Sequence, residues 1–195
     1  SFDEAALAEP LAVCVHAVNI ALNGQNPDHV LVIGGGAIGL LTAMVLKVRG
    51  IASVTVAEMN ADRANTIKAV ADVEVVNPAE ASLPETSVII DCVGSGRTRA
   101  ASSETVTPGG LIVHVGLQDS NDGLDTRRLT LQEVSFIGTY CYTNNEFQEA
   151  LDLLADGKIK REGWTEIRPL SDGGSGFDDI HNGKAPPKII LQIKQ

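Results

Sequence analysis

The stretch Val30-Leu31-Val32-Ile33-Gly34-Gly35-Gly36-Ala37-Ile38-Gly39-Leu40-Leu41 decides the fold. A short aliphatic run leads straight into Gly34-x-Gly36-x-x-Gly39. A helical pattern follows, with Ile38, Leu41, Val45 and Val48 at helical spacing and Gly50 as a stop. Strand, glycine loop and helix in that order open a dinucleotide-binding unit. Gly34 permits the tight turn off the strand, Gly36 lets a pyrophosphate approach the backbone, and Gly39 lets the helix pack on the sheet. The pyrophosphate then sits at the helix N-terminus, at Ala37 and Ile38, where free N–H groups and the macrodipole favour negative charge. An ordinary tight turn has the same glycines, so the residue that separates the two readings lies further on.

That residue is Glu58, nineteen positions after Gly39 and at the end of the next strand-like run. An acid there accepts hydrogen bonds from both hydroxyls of an adenosine ribose and repels a 2′-phosphate, so NAD is expected rather than NADP. Arg63 is expected to lie along the adenine.

Outward from this unit, short apolar runs alternate with helical patterns. Val30–Ile33, Val54–Ala57, Val73–Val76, Val88–Ile90, Leu111–Val115 and Val134–Ile137 read as strands. Runs apolar on both sides suit parallel strands covered by helices on each face. Asn60 to Val70 reads as a helix, and Phe147, Ala150, Leu151 and Leu154 mark another, capped by Asn144 or Asn145 and ending near Gly157. The class is therefore α/β: a doubly wound Rossmann fold with a six-stranded parallel sheet in the order 3-2-1-4-5-6. Between Val76 and Ser87 there is room for little more than one helical turn. Before the sheet, Asp3 is placed to cap a helix with Phe2 and Leu7 as a staple, and Pro10 to kink it near Glu9. After Lys158 come a strand-like Glu166–Leu170, a turn at Gly173-Gly174-Ser175-Gly176, a short helix and a strand Lys188–Ile193, with no place in the completed sheet.

Ligands in such sheets bind beyond the carboxyl ends of the strands. Those ends carry Asp91-Cys92-Val93-Gly94, Val115-Gly116-Leu117 and Gly138-Thr139-Tyr140. Cys92, Val93, Gly94, Val115, Gly116, Leu117, Thr139 and Tyr140 are thus candidate cofactor contacts. The glycines among them either admit a flat ring or serve as turn residues.

A net charge of −10 argues against a nucleic-acid partner, because phosphate backbones reward basic clusters. The apolar runs are short, so no membrane partner is expected and a cytoplasmic protein is. The three cysteines, Cys14, Cys92 and Cys141, form no CxxC pair and so no disulfide framework or cysteine zinc site. His16, His29, His114 and His181 lack metal spacing, and His16 and His114 read as packed imidazoles.

With these residues in view, the chain resembles the zinc-dependent medium-chain dehydrogenases, particularly their sorbitol and polyol branch. The carrying stretches are Ala6-Leu7-Ala8-Glu9-Pro10-Leu11-Ala12-Val13 with His16, the glycine loop, and Asp91-Cys92-Val93-Gly94. Pro108-Gly109-Gly110 leading to His114-Val115-Gly116-Leu117, Phe136-Ile137-Gly138 and Lys188-Ile189-Ile190-Leu191 follow in the family's order. The resemblance implies a preceding GroES-like catalytic domain that holds the Cys and His zinc ligands and the proton relay. It also implies that residues 1–158 form the NAD domain and that residues 159–195 return to the catalytic domain.

Read alone, Glu9 is a solvated glutamate at a helix kink. The resemblance adds a second reading, in which Glu9 approaches a catalytic zinc directly or through water. No catalytic residue is expected in this chain. The implied function is hydride transfer between a secondary alcohol (a polyol or sugar derivative) and NAD, by a homodimer or homotetramer, with this chain alone inactive. Where polyol dehydrogenases often carry an arginine after the sixth strand, Tyr140-Cys141-Tyr142 stands, which leaves the alcohol open. The alternatives are a zinc-free NAD(P)H quinone reductase of the same superfamily and a non-catalytic NAD-sensing domain.

Overall fold

Six parallel strands in the order β3-β2-β1-β4-β5-β6 carry the fold, the order predicted from the sequence. They are β1 (His29–Ile33), β2 (Ser53–Ala57), β3 (Glu74–Val76), β4 (Thr86–Asp91), β5 (Val106–His114) and β6 (Ser135–Gly138). The structure, a computed structural model, describes residues 1–119 and 121–193.

Alternation along the strands divides the interior in two. Val30, Val32, Val54, Val56, Val88, Ile90 and Val113 point to one face, where they form the main core with α2 (Ala8–Leu22), α3 (Ala37–Val48), α4 (Ala61–Val70) and α7 (Asn144–Ala155). Leu31, Ile33, Ile89 and Ile112 point to the other. There α5 (Gly96–Thr105) packs on β4 and β5 and is followed by α6 (Thr126–Leu131). Right-handed crossovers require this split, because the chain leaves β1 in one direction and β4 in the other. A fully buried Leu or Ile contributes about 1.5–3 kcal/mol, so the larger face, with Leu11, Leu40, Leu41 and Leu46, dominates stability.

Register sets the level of the strand ends. Ile33 pairs with both Ala57 and Asp91, Asp91 with His114, and His114 with Gly138. The next residues, Gly34, Glu58, Cys92, Val115 and Thr139, therefore stand in one row along the carboxyl edge. The crossover from β3 to β4 is as thin as its length suggests: its helical content is one hydrogen-bonded turn at Asn77–Ala81.

Several local expectations are corrected. Ser1, not Asp3, caps α1 (Phe2–Ala5), through a reciprocal box with Glu4. Phe2 is exposed, so no staple forms. The break falls at Ala6-Leu7 rather than near Glu9. Pro10 sits in the first turn of α2, where the first helical bond runs from Leu11 N–H to Leu7 O and a missing N–H costs little. The stretch Phe2–Leu22 is, by length and composition, apolar enough to cross a membrane, but α2 buries Leu11, Val15 and Val18 in the main core. Thr143, rather than Asn144 or Asn145, caps α7, and Glu146 returns the bond.

His16 is partly buried and has a polar partner. Its Nδ1 lies 3.0 Å from the Glu146 carboxylate, joining α2 to α7. His114 also has polar neighbours, with Arg99 at 3.4 Å, besides the Phe136 ring at 5.3 Å.

Beyond the sheet, Ile159 and Trp164 still belong to the main core. Then β7 (Thr165–Pro169) and β8 (Lys188–Gln192) pair in parallel as a separate two-stranded sheet. The glycines Gly173, Gly174 and Gly176 begin the connecting helix α8 (Gly173–His181) instead of forming a turn. Arg168 holds the unit together, with Nη1 at 2.7 Å from Asp179 and Nε at 2.8 Å from Glu166.

Candidate functional site

The row of strand ends opens into a cleft of about 750 Å³. One wall comes from the glycine loop with Glu58, Met59 and Arg63. The other comes from Cys92, Val93 and Ser95–Thr98 together with Gln118, Asp119 and Asp122.

Each loop glycine does something different. Gly34 has φ +97°, a region that L side chains rarely enter. A Cβ on Gly39 would fall inside the Gly34 carbonyl oxygen, so α3 can lie this close only with glycine there. A Cβ on Gly36 would meet nothing within 4 Å. That empty space lies directly in front of α3. The helix itself has no side-chain cap, and Leu40 N–H to Gly36 O is its first bond. By contrast α4, α5 and α7, which also start near this edge, are capped by Asn60, Ser95 and Thr143. The α3 donors are thus left for an anion, as the pyrophosphate of a dinucleotide requires.

Glu58 is 8% exposed and fixed from two sides. Its Oε2 accepts from Gly35 N–H at 2.9 Å and its Oε1 from Asn60 N–H at 2.7 Å. Arg63 Nε stands 3.9 Å from Oε2. That nitrogen is buried without a hydrogen-bond partner among the described residues. The carboxylate is therefore held in place at the end of β2, with lone pairs remaining for ribose hydroxyls.

At the end of β4, Asp91 is fully buried and organises the following turn. Its Oδ1 accepts from Val93 N–H and Gly94 N–H, both at 3.0 Å, and its Oδ2 from the Thr98 hydroxyl at 2.9 Å. Gly94 and Gly116 press backbone on backbone, and a Cβ on either would overlap the other loop. Their bareness serves this packing. Only Gly138 of the three strand-end glycines has open space around it.

Of the residues singled out from sequence, Gly34, Gly36, Glu58, Arg63, Cys92 and Val93 line the cleft. Ala37 and Ile38 form the first turn of α3, and Gly39 lies beneath the loop. Gly94, Val115, Gly116, Leu117, Thr139 and Tyr140 follow β4, β5 and β6 outside the cleft lining, with Leu117 and Tyr140 largely exposed. Sequence reasoning missed Gly35, Met59, Arg97 and the acidic pair Asp119 and Asp122. The signal they carry is position alone, since all of them lie in the segments that follow the strand ends, Arg97 in the first turn of α5.

Burial pushes the Cys14 thiol up to about 12 and that of Cys92 well above its ordinary value. Both act as weak donors, Cys14 to Ile38 O at 3.3 Å and Cys92 to Thr42 Oγ1 at 3.8 Å. Glu9 is exposed in the first turn of α2. Among the described residues no group of three or more His, Cys, Asp or Glu could hold a metal ion. The described residues therefore fit a dinucleotide, and among them no zinc site is assembled.

The chain is similar to known dehydrogenases in sequence and fold. Sorbitol dehydrogenase of Pongo abelii is 31% identical, matching 98% of this chain and 57% of its own length. A probable D-xylulose reductase A of Neosartorya fischeri is 26% identical, over 100% of this chain and 58% of its own. The chain thus spans little more than half the length of these relatives. Among solved structures, L-idonate 5-dehydrogenase of Escherichia coli superposes with a TM-score of 0.86 at 25% identity, over 97% of this chain and 56% of that one. Residues 37–156, from the first turn of α3 to the end of α7, match the zinc-binding dehydrogenase family. The chain belongs to that family.

Proposed function

We propose that this chain is the NAD-holding portion of an alcohol or polyol dehydrogenase that moves hydride between a secondary alcohol and NAD. The carrying observation is the uncapped start of α3 facing open space at Gly36, with the Glu58 carboxylate fixed beside it. Pyrophosphate binds at Gly36, Ala37 and Ile38, and the adenosine ribose hydroxyls donate to Glu58. Arg63 lies along the adenine. The rim at Gly94, Val115, Gly116, Leu117, Thr139 and Tyr140 holds the nicotinamide end. Bound NAD supplies the hydride acceptor, and this chain supplies binding and orientation.

Sorbitol, D-xylulose and L-idonate, in the names of the relatives, are all polyhydroxylated, which supports a polyol or sugar derivative as substrate. Zinc and its ligands are assigned to a further domain, toward which Glu9 and the β7–α8–β8 unit are directed. Phe177, Ile180 and Leu170 of that unit are exposed apolar side chains suited to such a contact. The bare edge strand β6, with Ile137 exposed, is assigned to pairing in a homodimer or homotetramer.

Glu58 speaks against an NADPH-dependent quinone reductase, because its carboxylate would oppose a 2′-phosphate. Fluorescence titration of this chain with NADH and NADPH tests the reading. NADH should bind tighter by about tenfold or more, equivalent to about 1.4 kcal/mol. Equal affinities, or turnover of sorbitol by the chain alone, would overturn it.

A further inference from the structure

α5 buries a face that no count of apolar residues would select: Arg99, Ser102, Ser103 and Thr105. Arg99 is 6% exposed. Its Nε donates to Asp122 O at 2.6 Å and its Nη1 to Gly94 O at 3.0 Å. Nη1 also lies 3.4 Å from His114 Nε2, and Nη2 lies 3.5 Å from Asp119 Oδ1. One guanidinium thus joins the turn after β4, the end of β5 and the loop that follows β5.

The same segments are joined around it. Asp119 Oδ1 accepts from Gly96 N–H at 2.9 Å, and Gln118 N–H donates to Val93 O at 3.1 Å. Gly123 lies so close to the Gly96 carbonyl that it has no room for a Cβ. Val93, Ser95, Gly96, Gln118, Asp119 and Asp122 all line the cleft. In the sheet order they lie across the glycine loop from Glu58.

We propose that Arg99 is the positioning residue of this wall, setting its distance from Glu58 to the width that an adenosine nucleotide fills. The inference rests on the dinucleotide reading above. A buried cation is costly unless its donors are matched, and here backbone carbonyls and a carboxylate match them. Arginine alone offers a rigid fork that reaches several segments at once. A lysine ammonium in its place would hold one or two of these acceptors and release the rest. The guanidinium bonds to loop backbone that forms the cleft, so its loss moves the wall before it moves the sheet.

Arg99→Met and Arg99→Lys in this chain test the assignment, with ADP-ribose as the probe. Affinity is measured by calorimetry, and amide exchange is followed well below the melting temperature. The Met variant should lose about tenfold or more in affinity and the Lys variant a smaller factor. Exchange should quicken at Gly96 and Gln118 while Ile33 and Val56 keep the parent rate.

Affinities within about twofold of the parent in folded variants would overturn the inference. So would exchange that quickens equally across the sheet, which marks a merely structural residue. If the Met variant does not fold, the Lys variant alone decides. A parent chain that does not bind ADP-ribose would instead remove the dinucleotide reading, and this inference with it.

Discussion

Glu58 and Gly35 are bonded to each other, the carboxylate of one to the backbone N–H of the other at 2.9 Å. The acid proposed to bind ribose is thus a brace for the glycine loop, and its second oxygen braces the start of α4 through Asn60 N–H. Glu58→Ala should therefore do two things. It strands two N–H groups, at a cost of about 1–3 kcal/mol each if water cannot reach them. It also removes the ribose acceptor and the charge opposed to a 2′-phosphate. Urea denaturation should show the stability loss, and titration should show weaker NADH binding with a narrowed preference over NADPH. Glu58→Gln should not restore the parent, because an amide nitrogen would face one of the two donors. A Gln variant indistinguishable from the parent in both measurements would contradict this account.

Gly36 and Gly39 separate binding from folding. Gly36 has φ −70°, which alanine tolerates, and its Cβ would enter empty space. Gly36→Ala should change stability by no more than about 1 kcal/mol while placing a methyl group where the pyrophosphate belongs. Gly39→Ala should do the reverse, forcing α3 away from the Gly34 carbonyl at a cost of about 3 kcal/mol or more. Thermal melts with and without NADH distinguish them. The Gly36 variant should melt like the parent and gain little from NADH, and the Gly39 variant should melt much lower. Identical behaviour of the two would show that the glycines do not divide the work this way.

The sheet is legible in the sequence because six short, mostly apolar runs alternate with helical patterns, as in a covered parallel sheet, and Gly34–Gly39 marks the strand at which the order reverses. That the glycine loop and Glu58 would lie side by side is also legible, since the glycines and Glu58 have fixed offsets from adjacent strands, and both line the cleft. The wall built by α5 is not. Gly96–Thr105 has no apolar stripe, since Arg99 and Ser103 are buried by hydrogen bonding to loops distant in sequence. Periodicity reports burial of carbon and is blind to burial of a satisfied guanidinium. The capping errors have a different origin. Ser1 and Asp3 are both good caps, as are Thr143 and Asn144, but of these only Ser1 and Thr143 have a glutamate three residues on, Glu4 and Glu146, to return the bond.

The α2–α7 seam should be the acid-sensitive part of the molecule. Burial alone would raise Glu146, but Thr143 N–H, His16, Asn19 and the Thr143 hydroxyl together lower it from its ordinary 4.5 to about 2. A lowered carboxylate contributes stability that is complete above its unfolded value and is lost as pH falls through the folded one. The contribution should therefore stand at neutral pH and decline between 4.5 and about 2. Urea midpoints of the parent and Glu146→Gln should differ at pH 7 and converge across that window. A gap that stays constant with pH would show that the carboxylate charge is not what holds the seam.

Trp164 marks where the sheet domain releases the chain. It is 1% exposed within the main core, and its Nε1 donates to Lys160 O at 2.7 Å. Past it, neither core cluster of the sheet includes a buried residue of β7, α8 or β8. Among the described residues the hydrogen bonds between the two parts include Asn60 Nδ2 to Gly183 O at 2.8 Å and, at the junction itself, Thr165 Oγ1 to Arg161 O at 2.9 Å. Asn60 keeps its capping bond to Arg63 N–H without the first of these. The boundary between the units is thus proposed at Trp164, a few residues beyond Lys158, the position that the resemblance implies. A chain ending after Thr165 should keep its unfolding free energy to within about 0.5 kcal/mol and bind NADH as the parent does. A chain ending after Lys158, or the variant Trp164→Ala, should lose about 3–5 kcal/mol through the vacated core. Chemical denaturation of the three decides. If the chain ending at Thr165 were the one that failed, the β7–α8–β8 unit would be part of the nucleotide domain rather than a separate piece resting beside it.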